Sequence, residues 1–294
     1  MNIGFVGLGH MGLPMAINLV KAGHCVTGFD LQDTAKNAFI QAGGMIASNL
    51  STLSNTQDIF ITMLQSGSQV TSVCYGQDGL YAHARQHTLH IDCSTIDVPT
   101  TLDLHHHAQT SGLCMVDAPV SGGVAGAAAA TLTFMLGGTP EACATSTPIL
   151  EAMGKQIILT GNAGSGQAAK ICNNMILGIS MIAVAEGFML AEKLGLAPKK
   201  LHEVVTHASG QCWVMDKYVP VPAVLENMPA DRNYQPGFSL SMMLKDLHLS
   251  QEAAEHSGVT TPIAHLATQL FQTAKAEGLG DLDFSAIIKQ IERC

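Results

Sequence analysis

The chain has 294 residues, a formal net charge of −9, 47% hydrophobic residues and only 13% charged residues. This length allows two domains and a large core, and the scarcity of charge predicts extensive burial, including contacts between subunits. The acidic balance offers no basic surface for nucleic acid. The eight cysteines form no C-x-x-C pair, so we expect reduced thiols and neither a metal site nor a disulfide framework.

No segment is expected to direct the chain to a membrane. The apolar N-terminus lacks the basic residues that begin a signal peptide. The longest apolar stretch elsewhere, residues 175–185, is shorter than the roughly 18–20 residues needed to span a bilayer. We therefore expect a soluble cytoplasmic protein.

Residues 1–30 have the pattern of a strand, a glycine turn, a helix and a second strand that ends in an acid. The turn has the spacing G-x-G-x-x-G and reads Gly7, Leu8, Gly9, His10, Met11, Gly12. In such a turn Gly7 allows a tight bend, Gly9 lets the backbone approach a pyrophosphate, and Gly12 lets the helix pack on the strand. The helix N-terminus then faces the phosphates, so the pattern predicts a dinucleotide site.

Asp30 predicts which dinucleotide is bound. It follows Gly12 by 18 residues, where a carboxylate can accept both ribose hydroxyls of an adenosine. The 2′-phosphate of NADP would meet this negative charge. Leu31 and Gln32 follow, and neither offers the Arg that accommodates such a phosphate. NAD is therefore favoured over NADP.

The first half of the chain alternates short apolar runs with helical patterns, which predicts a mostly parallel, doubly wound α/β sheet. The runs are 3–6, 26–29, 59–63, 89–91, 113–116, 132–136 and 156–159. The pattern ends near residue 163, so we predict a dinucleotide-binding domain over residues 1–163 and an all-α substrate and dimerisation domain over 164–294.

The second half begins with an apolar segment without strong helix breakers, residues 166–194, which predicts a helix of roughly 40 Å. It is apolar around much of its circumference, so we expect it to be buried between domains or subunits. Further helical patterns cover 199–208, 240–257 and 261–276. Residues 219–236 hold four prolines and predict an irregular loop, for which an active-site cover is one interpretation.

Polar residues follow several predicted strands, and ligands bind beyond the carboxyl ends of strands in such sheets. Leu64 and Gln65 follow one strand, and Thr95 follows another. The turn Ser121-Gly122-Gly123 follows a third and presents a hydroxyl with exposed N–H groups, which suits a small carboxylate. An ordinary strand-end turn explains the same spacing equally well.

Lys170 is a candidate catalytic residue because lysine rarely enters so apolar a helix without a reason. Asn174 lies four residues later and shares its helix face, and Gly166 one turn earlier is expected to leave room for a ligand. Burial lets a lysine exchange a proton near neutral pH. The alternative is a lysine whose charged end simply reaches solvent from the helix end.

Three other features allow two interpretations each. Lys245 and Asp246 form an adjacent pair that, taken alone, is more typical of a solvated surface than of a site. Trp213, the single tryptophan, suits a core or a pocket wall. The run 105–107 is three histidines, whose side chains point in different directions on a helix, so a solvated face is favoured over a metal site.

Four segments resemble motifs of the β-hydroxyacid dehydrogenase family. Residues 5–19 resemble its N-terminal signature and 117–123 its substrate-binding motif. Residues 166–174 resemble its catalytic G-x-x-x-K-x-x-x-N motif, and 245–247 resemble its late cofactor and substrate contact. The motifs occur in order and span nearly the whole chain. Within the family, the similarity is greatest to the bacterial 3-hydroxyisobutyrate dehydrogenases of valine breakdown.

The resemblance implies a Rossmann-type doubly wound sheet followed by an all-α C-terminal domain with a long interdomain helix, in a homodimer or homotetramer. It implies NAD as cofactor, a small hydroxy acid as substrate, and Lys170 as general acid/base. The implied substrate-binding residues are Ser121, Gly122, Gly123, Asn174, Trp213 and Asp246. The implied cofactor-binding residues are Gly7, Leu8, Gly9, His10, Met11, Gly12, Asp30, Leu64, Gln65, Thr95 and Lys245.

One residue departs from the family pattern, and two other functions remain open. Gln65 stands where relatives usually have Pro, which leaves the rigidity of that turn in question. One alternative is a reductase of another short aldehyde acid, such as tartronate, glyoxylate or succinic semialdehyde. An alternative of another class is a non-catalytic NAD-binding sensor, which would leave Lys170 and Asn174 without a role.

Overall fold

The computed structural model describes residues 1–293. The chain divides into two compact units, Met1–Lys170 and Ile171–Cys294. Helix α9, Ser165–Lys193, begins in the first unit and continues into the second. The domain boundary between residues 163 and 164 stays a prediction.

The first unit is built around one sheet, which has nine strands within the described residues. The strands are β1 (Asn2–Val6), β2 (Cys25–Phe29), β3 (Met45–Ile46), β4 (Ile59–Thr62), β5 (Leu89–Asp92), β6 (Cys114–Asp117), β7 (Val120–Ser121), β8 (Leu132–Gly138) and β9 (Gly154–Gly161). Their order is β3-β2-β1-β4-β5-β6-β8-β7, with β9 paired to β8. The first six positions repeat the order of dinucleotide-binding sheets, and their pairs are parallel. The predicted doubly wound sheet is confirmed.

Strand β8 reverses direction relative to β6 and pairs antiparallel with both β6 and β7. The two-residue strands β3 and β7 were not predicted, because two residues carry no periodic pattern. The helices of this unit are α1 (Gly12–Lys21), α2 (Asp33–Gln41), α3 (Leu50–Ser54), α4 (Gly67–Cys74), α5 (Leu80–His83), α6 (Val98–Thr110), α7 (Gly123–Ala128) and α8 (Pro140–Leu150).

Each face of the sheet is covered by an apolar cluster. One cluster includes Phe5, Met15 and Phe134, and the other includes Phe60 and Leu104, all fully buried. A parallel sheet needs such cover on both faces, and near-continuous apolar runs such as β4 supply it. This packing places the carboxyl ends of β1, β4, β5 and β6 along one edge of the sheet.

The second unit is helical. After α9 its helices are α10 (Pro198–Val205), α11 (Trp213–Lys217), α12 (Leu240–His256), α13 (Pro262–Ala274) and α14 (Ile287–Ile291). Apart from an isolated bridge between Ser239 and Asp283, no strand occurs in residues 171–293. The predicted all-α second half is confirmed. Its core joins α9, α12 and α13 through side chains that include Phe188, Met243 and Phe271.

The proline-containing segment 219–236 is irregular, as predicted, and is held by its own hydrogen bonds. Asp231 accepts from the backbone N–H groups of Ala223 at 2.8 Å and Met228 at 3.0 Å. The Tyr234 hydroxyl donates to the carbonyl oxygen of Pro220 at 2.9 Å. These bonds cross-link the segment at both ends. Its role as an active-site cover stays a prediction.

Helix α9 corrects the expectation about membrane spans. With 29 residues it is long and apolar enough to cross a bilayer, so the estimate based on residues 175–185 was wrong. The core helix of a soluble protein meets the same criteria, and 44% of the most apolar window is buried. Its exposed face carries Ile176 and Leu190, each more than half exposed. That face is available for contact with another surface.

Candidate active site

The glycine turn between β1 and α1 is too compact for larger residues at its two ends. Gly7 has φ +96°, and a Cβ there would lie 2.3 Å from the Met63 carbonyl oxygen. A Cβ on Gly12 would lie 1.8 Å from the carbonyl oxygen of Gly7. Gly9 differs, since a Cβ there would meet no atom within 4 Å. The backbone at Gly9 is therefore open to a ligand, while its neighbours shape the turn.

Asp30 follows β2 and is tied to the same turn. Its Oδ2 accepts the Leu8 N–H at 2.7 Å, and its Oδ1 accepts the Gln32 N–H at 2.8 Å. A carboxylate has about four lone-pair sites, so acceptor capacity remains for ribose hydroxyls. The neighbouring Lys36 is ion-paired with Asp33 at 2.7 Å. Lys36 thus makes its ion pair with Asp33, and Asp30 would be the carboxylate that meets an adenosine ribose.

These residues fit a dinucleotide. Helix α1 begins at Gly12 with no acidic residue in its first turn, so its N-terminal dipole favours an anion. The open backbone at Gly9 would give a phosphate room to approach, and Asp30 would supply the ribose acceptor. The predicted residues Gly7–Gly12 and Asp30 thus lie together in the first unit.

The turn after β4 is joined to the turn after β5. The Leu64 N–H donates to Ser94 Oγ at 2.9 Å. The exposed Gln65 donates its N–H to Gln69 Oε1 at 3.0 Å, a bond that a proline at position 65 could not make. This bond gives the turn a local constraint in place of the proline ring. Thr95, one residue after Ser94, lies in the same loop.

Two buried carboxylates end the adjacent strands β5 and β6, where Asp92 and Asp117 are register partners. Burial raises the pKa of Asp92 to about 6, although Thr62 and the Ser94 N–H donate to it. Burial lowers the pKa of the neighbouring His90 to about 3. At neutral pH the buried His90 is therefore uncharged, whereas the Asp92 carboxyl group loses its proton only near pH 6.

A contact of Asp117 shows that the interpretation of residues 105–107 as a solvated histidine face is wrong for His105. The ring of His105 lies 2.9 Å from Asp117 Oδ1 and is mostly buried, while His106 and His107 are exposed. The sequence spacing did not reveal this contact, because His105 and Asp117 lie on different elements. Within residues 1–293, no group of three or more potential metal ligands is present.

The turn after β7 has the backbone that its glycines predict. Gly122 has φ +133° and Gly123 has φ +63°, so side chains would be strained at both positions. Ser121 pairs antiparallel with Thr133 of β8 and is partly exposed. A Cβ on Gly123 would meet no atom within 4 Å, so the turn presents open backbone beside the Ser121 hydroxyl.

The start of α9 is anchored to the strand ends. Asp117 accepts the N–H groups of Gly164 at 2.8 Å and Gln167 at 3.1 Å. A Cβ on Gly166 would lie 2.4 Å from the Met135 carbonyl oxygen, so Gly166 serves close packing and does not leave room for a ligand. Lys170 follows one turn later and is only 7% exposed. Its burial excludes the interpretation of a lysine end in free solvent.

Three predicted residues lie together in the second unit. The Asn174 side-chain amide donates to Asp246 Oδ2, and Lys245 Nζ lies 3.1 Å from Asp246 Oδ1. Asn174 and Asp246 are 2% and 3% exposed. The pair at 245–246 is thus a partly buried ion pair with an amide attached, and the solvated interpretation is wrong.

Trp213 is half exposed and does not belong to the core. Its ring stacks on Tyr218 with centroids 5.5 Å apart, and Tyr218 stacks on Phe284 at 5.2 Å. The Tyr218 hydroxyl donates to the buried Asp283 at 2.9 Å, and burial raises the pKa of Tyr218 well above its usual value. Trp213 is therefore an exposed aromatic surface held by a fixed support. Sequence reasoning missed Tyr218 and Asp283.

Both halves of the chain match models of known protein families. Residues 2–161 match the model of the NAD binding domain of 6-phosphogluconate dehydrogenase. Residues 164–291 match the model described as NAD-binding of NADP-dependent 3-hydroxyisobutyrate dehydrogenase.

Full-length relatives and a solved structure are similar over nearly the whole chain. A Pseudomonas aeruginosa protein named NAD-dependent L-serine dehydrogenase is 44% identical, covering 98% of this chain and 96% of its own. A 3-hydroxyisobutyrate dehydrogenase of the same organism is 44% identical, covering 98% and 97%. The structure of Mycobacterium tuberculosis 3-hydroxyisobutyrate dehydrogenase with L-serine has a TM-score of 0.93 at 45% identity, covering 99% and 98%.

Proposed function

Because the chain belongs to the 3-hydroxyisobutyrate dehydrogenase family of NAD-dependent oxidoreductases, we propose that it oxidises 3-hydroxyisobutyrate to methylmalonate semialdehyde in valine breakdown. The observation that carries the proposal is Lys170, a buried lysine one helical turn before Asn174. A dinucleotide-binding sensor would need neither residue.

In the proposed mechanism, the chain binds the substrate and removes one proton. NAD, when bound, supplies the hydride acceptor. The neutral amine of Lys170 accepts the proton of the substrate hydroxyl, which lets the C–O bond become a carbonyl as hydride leaves the carbon. The Ser121 hydroxyl and the open backbone at Gly122 and Gly123 bind the carboxylate, and Asn174 holds the hydroxyl group.

L-serine is the second candidate substrate, because relatives of nearly equal similarity are associated with it by name. Both compounds carry a CH₂OH group next to the carbon that bears the carboxylate, and they differ in a methyl or an ammonium group there. An ammonium needs an acceptor or a negative charge, but Asp246 is already paired with Lys245 and Asn174. The exposed ring of Trp213 suits a methyl group. These features favour 3-hydroxyisobutyrate.

The substrate prediction is tested by following NADH at 340 nm with each 3-hydroxyisobutyrate enantiomer, L-serine, glycerate and 4-hydroxybutyrate. We expect kcat/KM for one 3-hydroxyisobutyrate enantiomer to exceed that for L-serine by at least about 10-fold, which is the discrimination that one side-chain group provides. A reversed ratio would assign the chain to serine oxidation. No turnover of any compound by a protein that binds NADH would favour the sensor.

Asp30→Ala is expected to raise KM for NAD and to relax the preference over NADP. The variant removes the charge that repels a 2′-phosphate, and it also frees the N–H groups of Leu8 and Gln32. Asp30→Asn separates these effects in part, since it removes the charge and keeps one of the two acceptor oxygens for the turn. Steady-state kinetics with both cofactors measure the ratio. Wild-type enzyme that already prefers NADP would contradict the argument.

We also propose that the enzyme is a cytoplasmic homodimer or homotetramer. The exposed apolar residues Ile176 and Leu190 on α9 support association, since contact with a second subunit would remove their side chains from water. The proposed direction is oxidation, and reduction of a short aldehyde acid is the reverse of the same chemistry.

A further inference from the structure

We propose that Gln167 is a positioning residue, whose buried amide ties the loop that carries Thr95 to the helical turn that precedes Lys170. This inference rests on the proposed function, because it takes Lys170 as the general acid/base. Gln167 has no role in the sequence-based assignment of the site. Every contact that carries the argument lies within the first unit.

The Gln167 side chain holds the loop after β5 on both sides of Thr95. Its Nε2 donates to the carbonyl oxygen of Ser94 at 2.7 Å, and its Oε1 accepts the N–H of Ile96 at 3.2 Å. Gln167 is 0% exposed, so water does not replace either bond. One side chain therefore fixes the backbone immediately before and immediately after Thr95.

The backbone of Gln167 is fixed independently. Its N–H donates to Asp117 Oδ2 at 3.1 Å, and Asp117 also accepts the N–H of Gly164 at 2.8 Å. Asp117 is 0% exposed and ends β6. A Cβ on Gly166 would clash with the Met135 carbonyl oxygen, so the helix start packs closely against the sheet. The amide thus extends from a fixed point to the Thr95 loop.

Lys170 follows Gln167 by three residues on α9, so the two residues are neighbours on one helix face. A displacement of the Thr95 loop relative to this turn changes the separation between a cofactor contact and the proton acceptor. Misplacing reacting groups by about 1 Å can cost up to about 100-fold in rate. Gln167 therefore matters for the reaction through the relative placement of Thr95 and Lys170.

Gln167→Met tests the inference, because methionine fills a similar volume without either hydrogen bond. We expect kcat per NADH-binding site to fall by roughly 10- to 100-fold. We also expect the kinetic isotope effect with substrate deuterated at the alcohol carbon to rise, since misplacement slows hydride transfer itself. NADH-binding sites are counted by fluorescence titration. A purely structural defect would lower the number of sites and leave kcat per site and the isotope effect unchanged, which would overturn the inference.

Two further variants make the result decisive. Gln167→Asn keeps an uncharged amide and shortens its reach by one methylene, so a loss of kcat with a raised isotope effect is expected even if Gln167→Met does not fold. Wild-type values for Gln167→Asn in that case would overturn the inference. Ser54→Ala removes another buried hydrogen bond of the first unit, from its hydroxyl to the Leu80 carbonyl oxygen, and should leave kcat per site unchanged.

Lys170→Ala, measured in parallel, separates this inference from the proposed function. Normal turnover by Lys170→Ala would contradict the proposed mechanism, whatever the Gln167 variants do. An inactive Lys170→Ala together with wild-type kcat per site in Gln167→Met would contradict the positioning role alone.

Discussion

Lys170→Ala is expected to lower kcat by roughly 10²- to 10⁴-fold, the usual contribution of general acid–base catalysis. The substitution removes a buried amine that the proposed mechanism uses as the proton acceptor. The glycine turn and Asp30 lie on other elements, so NAD binding should be largely kept. Initial rates at 340 nm and titration of NADH fluorescence measure the two quantities separately.

Lys170→Arg distinguishes a proton-transfer role of Lys170 from a purely electrostatic role. Arginine keeps the positive charge and cannot lose its proton in a protein, so it should be nearly as inactive as alanine. Near-normal turnover in Lys170→Arg would show that Lys170 acts as a fixed charge. Lys193→Ala, in the exposed last turn of the same helix, is the matched control and should keep wild-type kcat.

Gly9→Ala is expected to weaken NAD binding by roughly 10- to 100-fold without loss of stability. A Cβ on Gly9 meets no protein atom within 4 Å, so the folded chain accommodates it. The same Cβ would occupy the space through which a pyrophosphate approaches the backbone. The expected loss corresponds to one or two hydrogen bonds to a charged group.

Gly12→Ala should lose both NAD affinity and stability, because its Cβ would lie 1.8 Å from the Gly7 carbonyl oxygen. We therefore expect a lower Tm without cofactor in Gly12→Ala and an unchanged Tm in Gly9→Ala. Thermal unfolding and NADH titration of the two variants test the division of roles. Wild-type NAD affinity in Gly9→Ala, or wild-type stability in Gly12→Ala, would contradict it.

The fold could be predicted where the chain has an apolar run or a segment without helix breakers. The seven longer strands contain such runs, and the helices α9, α12 and α13 fall in long helical patterns. The pairs Met45–Ile46 and Val120–Ser121 are too short to show alternation, and they are strands because neighbouring strands pair with them. The reversal of β8 likewise depends on pairing across the sheet, which local pattern does not encode.

The candidate site was predictable in its local motifs and not in its long-range contacts. Glycine spacing, an acid after β2 and a lysine in an apolar helix are visible in the sequence. The Gln167 amide meets partners 71 and 73 residues away, and Asp117 meets His105 from another element. Their residue types are ordinary for solvated positions. Only the tertiary structure shows that they are buried and paired.

The close packing of Gly166 on the sheet changes what the motif G-x-x-x-K can be used for. The glycine is needed because the helix packs closely on a strand there, whereas the lysine is needed for the proposed proton transfer. A related sequence that keeps the glycine and replaces the lysine would keep this architecture with different chemistry. In uncharacterised sequences with this motif, the glycine therefore indicates the fold. The residue four positions later indicates which reaction the protein catalyses.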